Sequence, residues 1–263
     1  MPGSVTLIEA DAQGIAQVTL SHPGKLNAVD IGMWRTLQAA FAHLQSMPAD
    51  AAPRVVVVTG ADGQFASGGD IVEFAQFRFD EDTLRHFHEE IVAPALHAML
   101  ACDIPLIAGI EGACIGAGFE IAACCDIRVC GEGSRFGAPI AKLGFPMAPQ
   151  ELQVVGRIAP AAVLREMLLE ARLFDAAAAL RHGLVHAVVP DAELAAAVQR
   201  RAAHLATLSA QAARINKRTL RQMAAGGPAP DERLAHFAYA DSAEHREGVM
   251  AFIEKRPPRF QRG

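Results

Sequence analysis

Two stretches of this chain join a buried-strand pattern to a glycine turn and then to a helix start. Residues 54–59 lead to Gly68 and Gly69, and residues 105–111 lead to Gly116-Ala117-Gly118. The first amides of a helix lack intrahelical partners, so each turn can present N–H groups to an anion or a developing oxyanion. Two such donors, near Gly69 and Ala117, would polarise one thioester carbonyl and stabilise an enolate, at about 3–4 kcal/mol per donor. Two tight turns of small residues would leave the same trace in a sequence. Glu120 falls in the first turn after Gly118. It can act as an acid or base if its surroundings exclude water and raise its pKa, or it can be a solvated carboxylate that favours the positive helix end. Asp70 has the same two readings, and a helix cap is the better one.

A dinucleotide site competes for the same glycines, because Gly116-Ala117-Gly118 and Thr59-Gly60 each follow an apolar strand. The third glycine of the fingerprint is missing, as is a strand-closing acidic residue about 20 positions later. The sole tyrosine, Tyr239, has Ala243 four places on where dehydrogenase chemistry of the short-chain type needs lysine. Cys102, Cys114, Cys124, Cys125 and Cys130 are odd in number and lie in apolar surroundings without CxxC spacing, which suits reduced core thiols and no metal site.

The elements that must hold these groups follow from periodicity. Residues 14–20 alternate as a half-buried strand that ends at Ser21-His22-Pro23-Gly24. Helical spacing runs over 31–44, a connector over 48–53, and the β-branched run 54–59 predicts a buried strand. A long mixed helical stretch after Ile71 ends before Asp103. Residues 105–111 and 126–130 predict further strands, a helix is predicted to begin near Gly118, and 131–137 predicts a loop. From Ala159 onward the chain reads as largely helical. Repeated strand-loop-helix order suits stacked β-β-α turns of a spiral as readily as a doubly wound sheet.

With 263 residues, 51% of them hydrophobic and 20% charged, the chain can bury a sizeable core and is not of disordered composition. A net charge of −5 argues against a general nucleic-acid surface. Apolar runs are interrupted before the ~20 residues that a membrane helix needs. Met1-Pro2-Gly3-Ser4 opens without the basic and apolar regions of a signal peptide, so a cytoplasmic location is expected.

Taken together, five ordered segments resemble the crotonase, or enoyl-CoA hydratase/isomerase, family. His22-Pro23-Gly24-Lys25-Leu26-Asn27-Ala28 is similar to its early Pro-x-x-x-Asn-Ala loop, and Phe65-Ala66-Ser67-Gly68-Gly69-Asp70-Ile71 to its Phe-x-Ala-Gly-x-Asp-Leu/Ile segment. Residues 112–120 resemble its glycine-rich loop and first catalytic glutamate, residues 176–190 its Gly-Leu-Val stretch, and residues 246–256 its C-terminal signature. The resemblance implies an α/β fold with a β-β-α spiral core over 1–200 and a C-terminal helical trimerisation region over 201–263, with trimers often paired into hexamers. It places oxyanion-hole amides at Gly69 and Ala117 and the acid or base at Glu120. It implies that Lys25, Leu26 and Ala28 help hold the coenzyme A nucleotide, that Ser67, Asp70 and Ile71 lie along the pantetheine and thioester, and that Gly116 and Gly118 keep their loop close to the ligand. Phe252 and Lys255 are implied contacts of the adenine end. Coenzyme A enters as part of the substrate, with no metal or redox cofactor, in acyl-CoA chemistry of the fatty-acid kind.

Two places depart from the pattern, residues 144–151, where hydratases of the family are commonly glycine-rich, and position 140. Hydratases of the family carry a second glutamate after Phe-Gly-x-Pro, whereas Phe136-Gly137-Ala138-Pro139 precedes Ile140 here. An aliphatic side chain transfers no proton, so two-glutamate hydration is in doubt, while double-bond migration by one base and decarboxylation stay open. Glu151 can supply a replacement carboxylate, but a surface position at a helix start is the favoured reading. The best label is an enoyl-CoA hydratase-like lyase with isomerase as runner-up. A non-catalytic acyl-CoA-binding protein is the alternative from another class.

Overall fold

The computed structural model describes residues 1–260. Among them, nine strands form two sheets. Strands β1 (Ser4–Ile8), β2 (Ile15–Ser21), β3 (Val55–Gly60), β4 (Leu106–Ile110), β6 (Ile127–Gly131) and β9 (Ala187–Val189) lie side by side in that order. Only the edge pair β1 and β2 is antiparallel. Strands β5 (Ala113–Ile115), β7 (Arg135–Gly137) and β8 (Phe174–Asp175) form the smaller sheet. Two successive turns, β4–β5 and β6–β7, each give one strand to the large sheet and one to the small, and the helix Ala117–Ala123 leads from the first to the second.

The valine run in β3 shows why this sheet has two covered faces. Side chains alternate across a strand, and a parallel strand buried on both faces needs apolar residues at every position. Val56 and Val58 enter the main core with Trp34, Leu37 and Phe41 from the helix Ile31–Ser46. Val55 and Val57 face the other way, against Leu194, Ala197, Val198 and Ala202 of the helix Leu194–Ala206. That helix runs across residue 200 and seals the far face of the sheet.

After it, the helix Ala210–Ala224 docks through a basic stripe at i, i+3, i+4 and i+7. Arg214 donates to the carbonyls of Ala49 and Pro53, Lys217 to that of Ile104, and Arg218 and Arg221 to the buried carboxylate of Asp103. The five cysteines are free and buried.

Several local expectations need correction. β7 occupies residues expected to be loop, and β8 and β9 interrupt a stretch read as helical. Two or three residues are too few to show a period of two. The helical stretch after Ile71 is divided into Ile71–Phe74, Glu81–His86, a π-helical turn Phe87–Val92 and Ala93–Ala101. β1 lies where no strand is expected from the sequence.

Candidate active site

Short parallel bridges bring the two glycine turns together. Ala66 pairs with Cys114, the Ala66 amide donating to Ala113 O (2.8 Å) and its carbonyl accepting from Ile115 N (3.0 Å). Two residues on, a Cβ on Gly116 would lie 3.6 Å from the Gly68 Cα. Gly68 has φ +120° and Gly116 φ +50°, and the segments can meet this closely because neither carries a side chain. Val29 N donates to Gly68 O and Asp70 N to Val29 O, so the intervening Gly69 amide points away from that ladder. Ala117 is the first residue of the helix Ala117–Ala123, where an amide has no intrahelical acceptor. Both residues line one cavity of about 290 Å³.

Glu120 lines the same cavity from the first turn of that helix and is buried. Burial and the nearby charge of Glu151 push its carboxyl well above the usual range, against a weaker pull from Arg78. A carboxyl so placed holds a proton it can deliver. Ile140 also lines the cavity, so the aliphatic residue shares the lining with Glu120.

Glu151 overturns the expectation of a surface position. It does sit at a helix start, in Pro149–Val155, but it is only 3% exposed and points into the cavity. Its Oε1 lies 2.8 Å from Nδ1 of His88, which the π-helical turn supplies. Such turns often occur at functional sites. Arg78 and Lys142 also line the cavity, the Arg78 guanidinium 4.0 Å from the Phe74 ring and 3.8 Å from the Phe145 ring. Burial lowers its pKa, while Glu151 and Glu120 pull the other way. The sequence reading missed His88 and Arg78. Glu151 is 63 positions from His88, and no local pattern links them.

Of the remaining expected site residues, Ser67, Ile71 and Gly116 line the cavity. Asp70 caps the helix Ile71–Phe74 by accepting from Val72 N, and its other oxygen receives Lys25 Nζ at 2.6 Å. Burial would raise the Asp70 carboxyl, but the bonds from Lys25 and Val72 outweigh it and leave its pKa below the ordinary value. Lys25 is therefore tied beside the cavity rather than inside it. Leu26 is exposed, whereas Ala28 is buried and leaves mainly backbone for a ligand. Phe252 and Lys255 are exposed and do not line the cavity. Gly118 packs the helix start onto the Ala66 backbone. Among the described residues, no group of three His, Cys, Asp or Glu side chains is placed to hold a metal ion, and no helix is long and apolar enough to cross a membrane.

Comparison with known proteins bears on the family and the fold. The sequence profile described as enoyl-CoA hydratase/isomerase matches residues 10–263. A Mycobacterium bovis protein named "Probable enoyl-CoA hydratase echA8" is 32% identical, covering 97% of this chain and 96% of its own. The human mitochondrial enoyl-CoA hydratase domain-containing protein 3 is 31% identical, covering 93% of this chain and 80% of its own. The crystal structure of an enoyl-CoA hydratase/carnithine racemase from Magnetospirillum magneticum superposes with a TM-score of 0.92 at 34% identity, covering 98% of this chain and 96% of the other. With its spiral core, its paired glycine turns and a profile match over nearly its whole length, the chain belongs to the enoyl-CoA hydratase/isomerase family and has the crotonase fold.

Proposed function

We propose that the protein hydrates a 2-enoyl-CoA thioester, using Glu120 and Glu151 as its carboxyl pair. The observation that carries this reading is the presence of both side chains in the cavity that Gly69 and Ala117 line. The two amides would bind the thioester oxygen and stabilise the enolate that forms as water adds. Glu151, oriented by His88, would take a proton from water while the hydroxyl bonds to the β-carbon. Glu120, kept protonated by burial, would give its proton to the α-carbon. One water is consumed, and one proton returns from Glu151 to Glu120 through solvent or the product. The coenzyme A arm would leave past Ser67 and Ile71 toward Lys25 and Leu26, with Phe252 and Lys255 offered to its adenine end.

Ile140 in the cavity favours a second reading, migration of a double bond from the 3- to the 2-position by one shuttling carboxylate. The two readings separate on one experiment, the loss of conjugated-thioester absorbance from a 2-enoyl-CoA with wild type, Glu120→Gln and Glu151→Gln, and a 3-enoyl-CoA run in parallel. Hydration predicts that each variant loses about 10²–10⁴-fold in kcat/KM. A Glu151→Gln enzyme at the wild-type rate would sink the paired mechanism. Turnover of the 3-enoyl substrate alone would leave the single-base reading.

A further inference from the structure

Arg78 presents to the cavity a cation that, among the described residues, has no carboxylate partner. It follows Phe74 by one turn, its amide donating to Phe74 O at 2.9 Å. The rings of Phe74 and Phe145, 6.0 Å apart, flank the guanidinium. Its Nε is buried without a hydrogen-bond partner, and among the described residues no carboxylate lies within ion-pair distance of it. Glu151 is already engaged by His88, and Glu120 is held toward its neutral form.

Cation–π contact with two rings offsets part of the cost of withdrawing a guanidinium from water, but it satisfies none of the five N–H donors. That planar fork matches a carboxylate, to which it can give two parallel hydrogen bonds. A neutral acyl chain filling the cavity would displace water from the guanidinium and give nothing back. An acyl chain ending in a carboxylate would pair with it. The cavity, about 290 Å³, is lined by Trp34, Phe87 and Met147 as well as the two flanking rings, which favours a short chain.

We propose that Arg78 receives a carboxylate borne by the acyl group, so that the preferred substrates are short carboxyacyl-CoA thioesters rather than neutral fatty acyl-CoA. The inference rests on the acyl-CoA reading above and names the substrate class for the same cavity. The competing role for Arg78 is purely internal, as a positive charge that tunes Glu120 and Glu151, and it predicts no discrimination between ligands.

Calorimetric binding of butanoyl-CoA and glutaryl-CoA tests the proposal without requiring turnover. Wild type is expected to bind the carboxylated ligand about tenfold or more tightly, as for a charged hydrogen-bonded pair. Arg78→Met is expected to bring the ratio to near one, and Arg78→Lys to an intermediate value, because lysine keeps the charge without the fork. Equal wild-type affinities, or a preference that survives in Arg78→Met, would overturn it. The wild-type ratio stands even if a variant fails to fold. Failure of both ligands to bind would remove the acyl-CoA reading itself, and this inference with it.

Discussion

Adding one methyl group at Gly118 tests whether the two amides act together. A Cβ there would lie 2.5 Å from the carbonyl oxygen of Ala66 and 2.9 Å from its Cβ. Ala66 cannot easily retreat, because its amide and carbonyl are bonded to Ala113 and Ile115. Reaching an ordinary contact of 3.4 Å therefore asks the helix start to recede by about 0.9 Å, the difference of the two distances. Overpacking of this kind costs about 1–3 kcal/mol, and alanine returns about 0.8–1 kcal/mol in helix propensity. The net loss is about 0–2 kcal/mol, a Tm drop of a few degrees in a chain of this size. Activity should suffer far more. A shift near 1 Å carries the Ala117 amide out of register with Gly69, and misplacement on that scale costs about 100-fold in kcat/KM. The assay is 2-enoyl-CoA hydration well below Tm, with circular dichroism to verify folding. Gly183→Ala is the control. Gly183 has φ +74° with nothing within 4 Å of its Cβ position, so it should lose stability through backbone strain alone. A folded Gly118→Ala enzyme within about threefold of wild type would refute the two-donor arrangement.

Two further predictions concern how the C-terminal helices attach and what they meet. Burial would raise the Asp103 carboxyl, but bonds from Arg218 and Arg221 outweigh it and hold its pKa below the ordinary value. Such a group contributes stability above the unfolded carboxylate value of about 4, and the contribution is lost as pH falls through the lower folded value. Asp103→Asn should cost about 1–2 kcal/mol at pH 7 in urea unfolding, discounted because Arg218 is half exposed, and the gap should narrow below about pH 4. A pH-independent gap would exclude the ion cluster as its cause. Leu220, Met223, Leu234, Phe237 and Phe252 are exposed on the C-terminal helices, which supports our expectation of a trimer or a pair of trimers. Light scattering should give three or six chain masses, and a monomer at micromolar concentration would count against it.

Much of the core was legible because the signals that betray it are local. Four consecutive valines announce a strand covered on both faces, and the spacing of Trp34, Leu37, Phe41 and Leu44 announces a helix with one buried face. Asn27 shows how a loop motif acquires structural content. Buried at φ +57°, it accepts from His22 N and donates to the carbonyls of Ala61 and Gln64, and so pins the early loop against the turn that precedes Gly69. The sequence offers the asparagine but not the two carbonyls, which lie more than 30 residues away. Strands as short as β7 and β8 exist because the spiral offers them an edge, not because their residues prefer extension.

The carboxyl pair marks where local reading fails. A motif registers a carboxylate by its place after Phe-Gly-x-Pro, and by that test Ile140 records a loss. The cavity registers a carboxylate by position in space, and there Glu151 stands in the same lining as Glu120, eleven positions further along the chain from Ile140. Nothing near Glu151 in sequence distinguishes it from the acidic residues that commonly occupy a helix's first turn at the surface. What distinguishes it is His88 on a separate element, a residue that becomes informative only once the helical stretch from Ile71 to Ala101 is seen to be broken and carried over the cavity. On the hydration reading proposed above, the second carboxylate would approach from the helix Pro149–Val155 rather than from position 140, and Arg78 in the same lining would bear on what the acyl end can be.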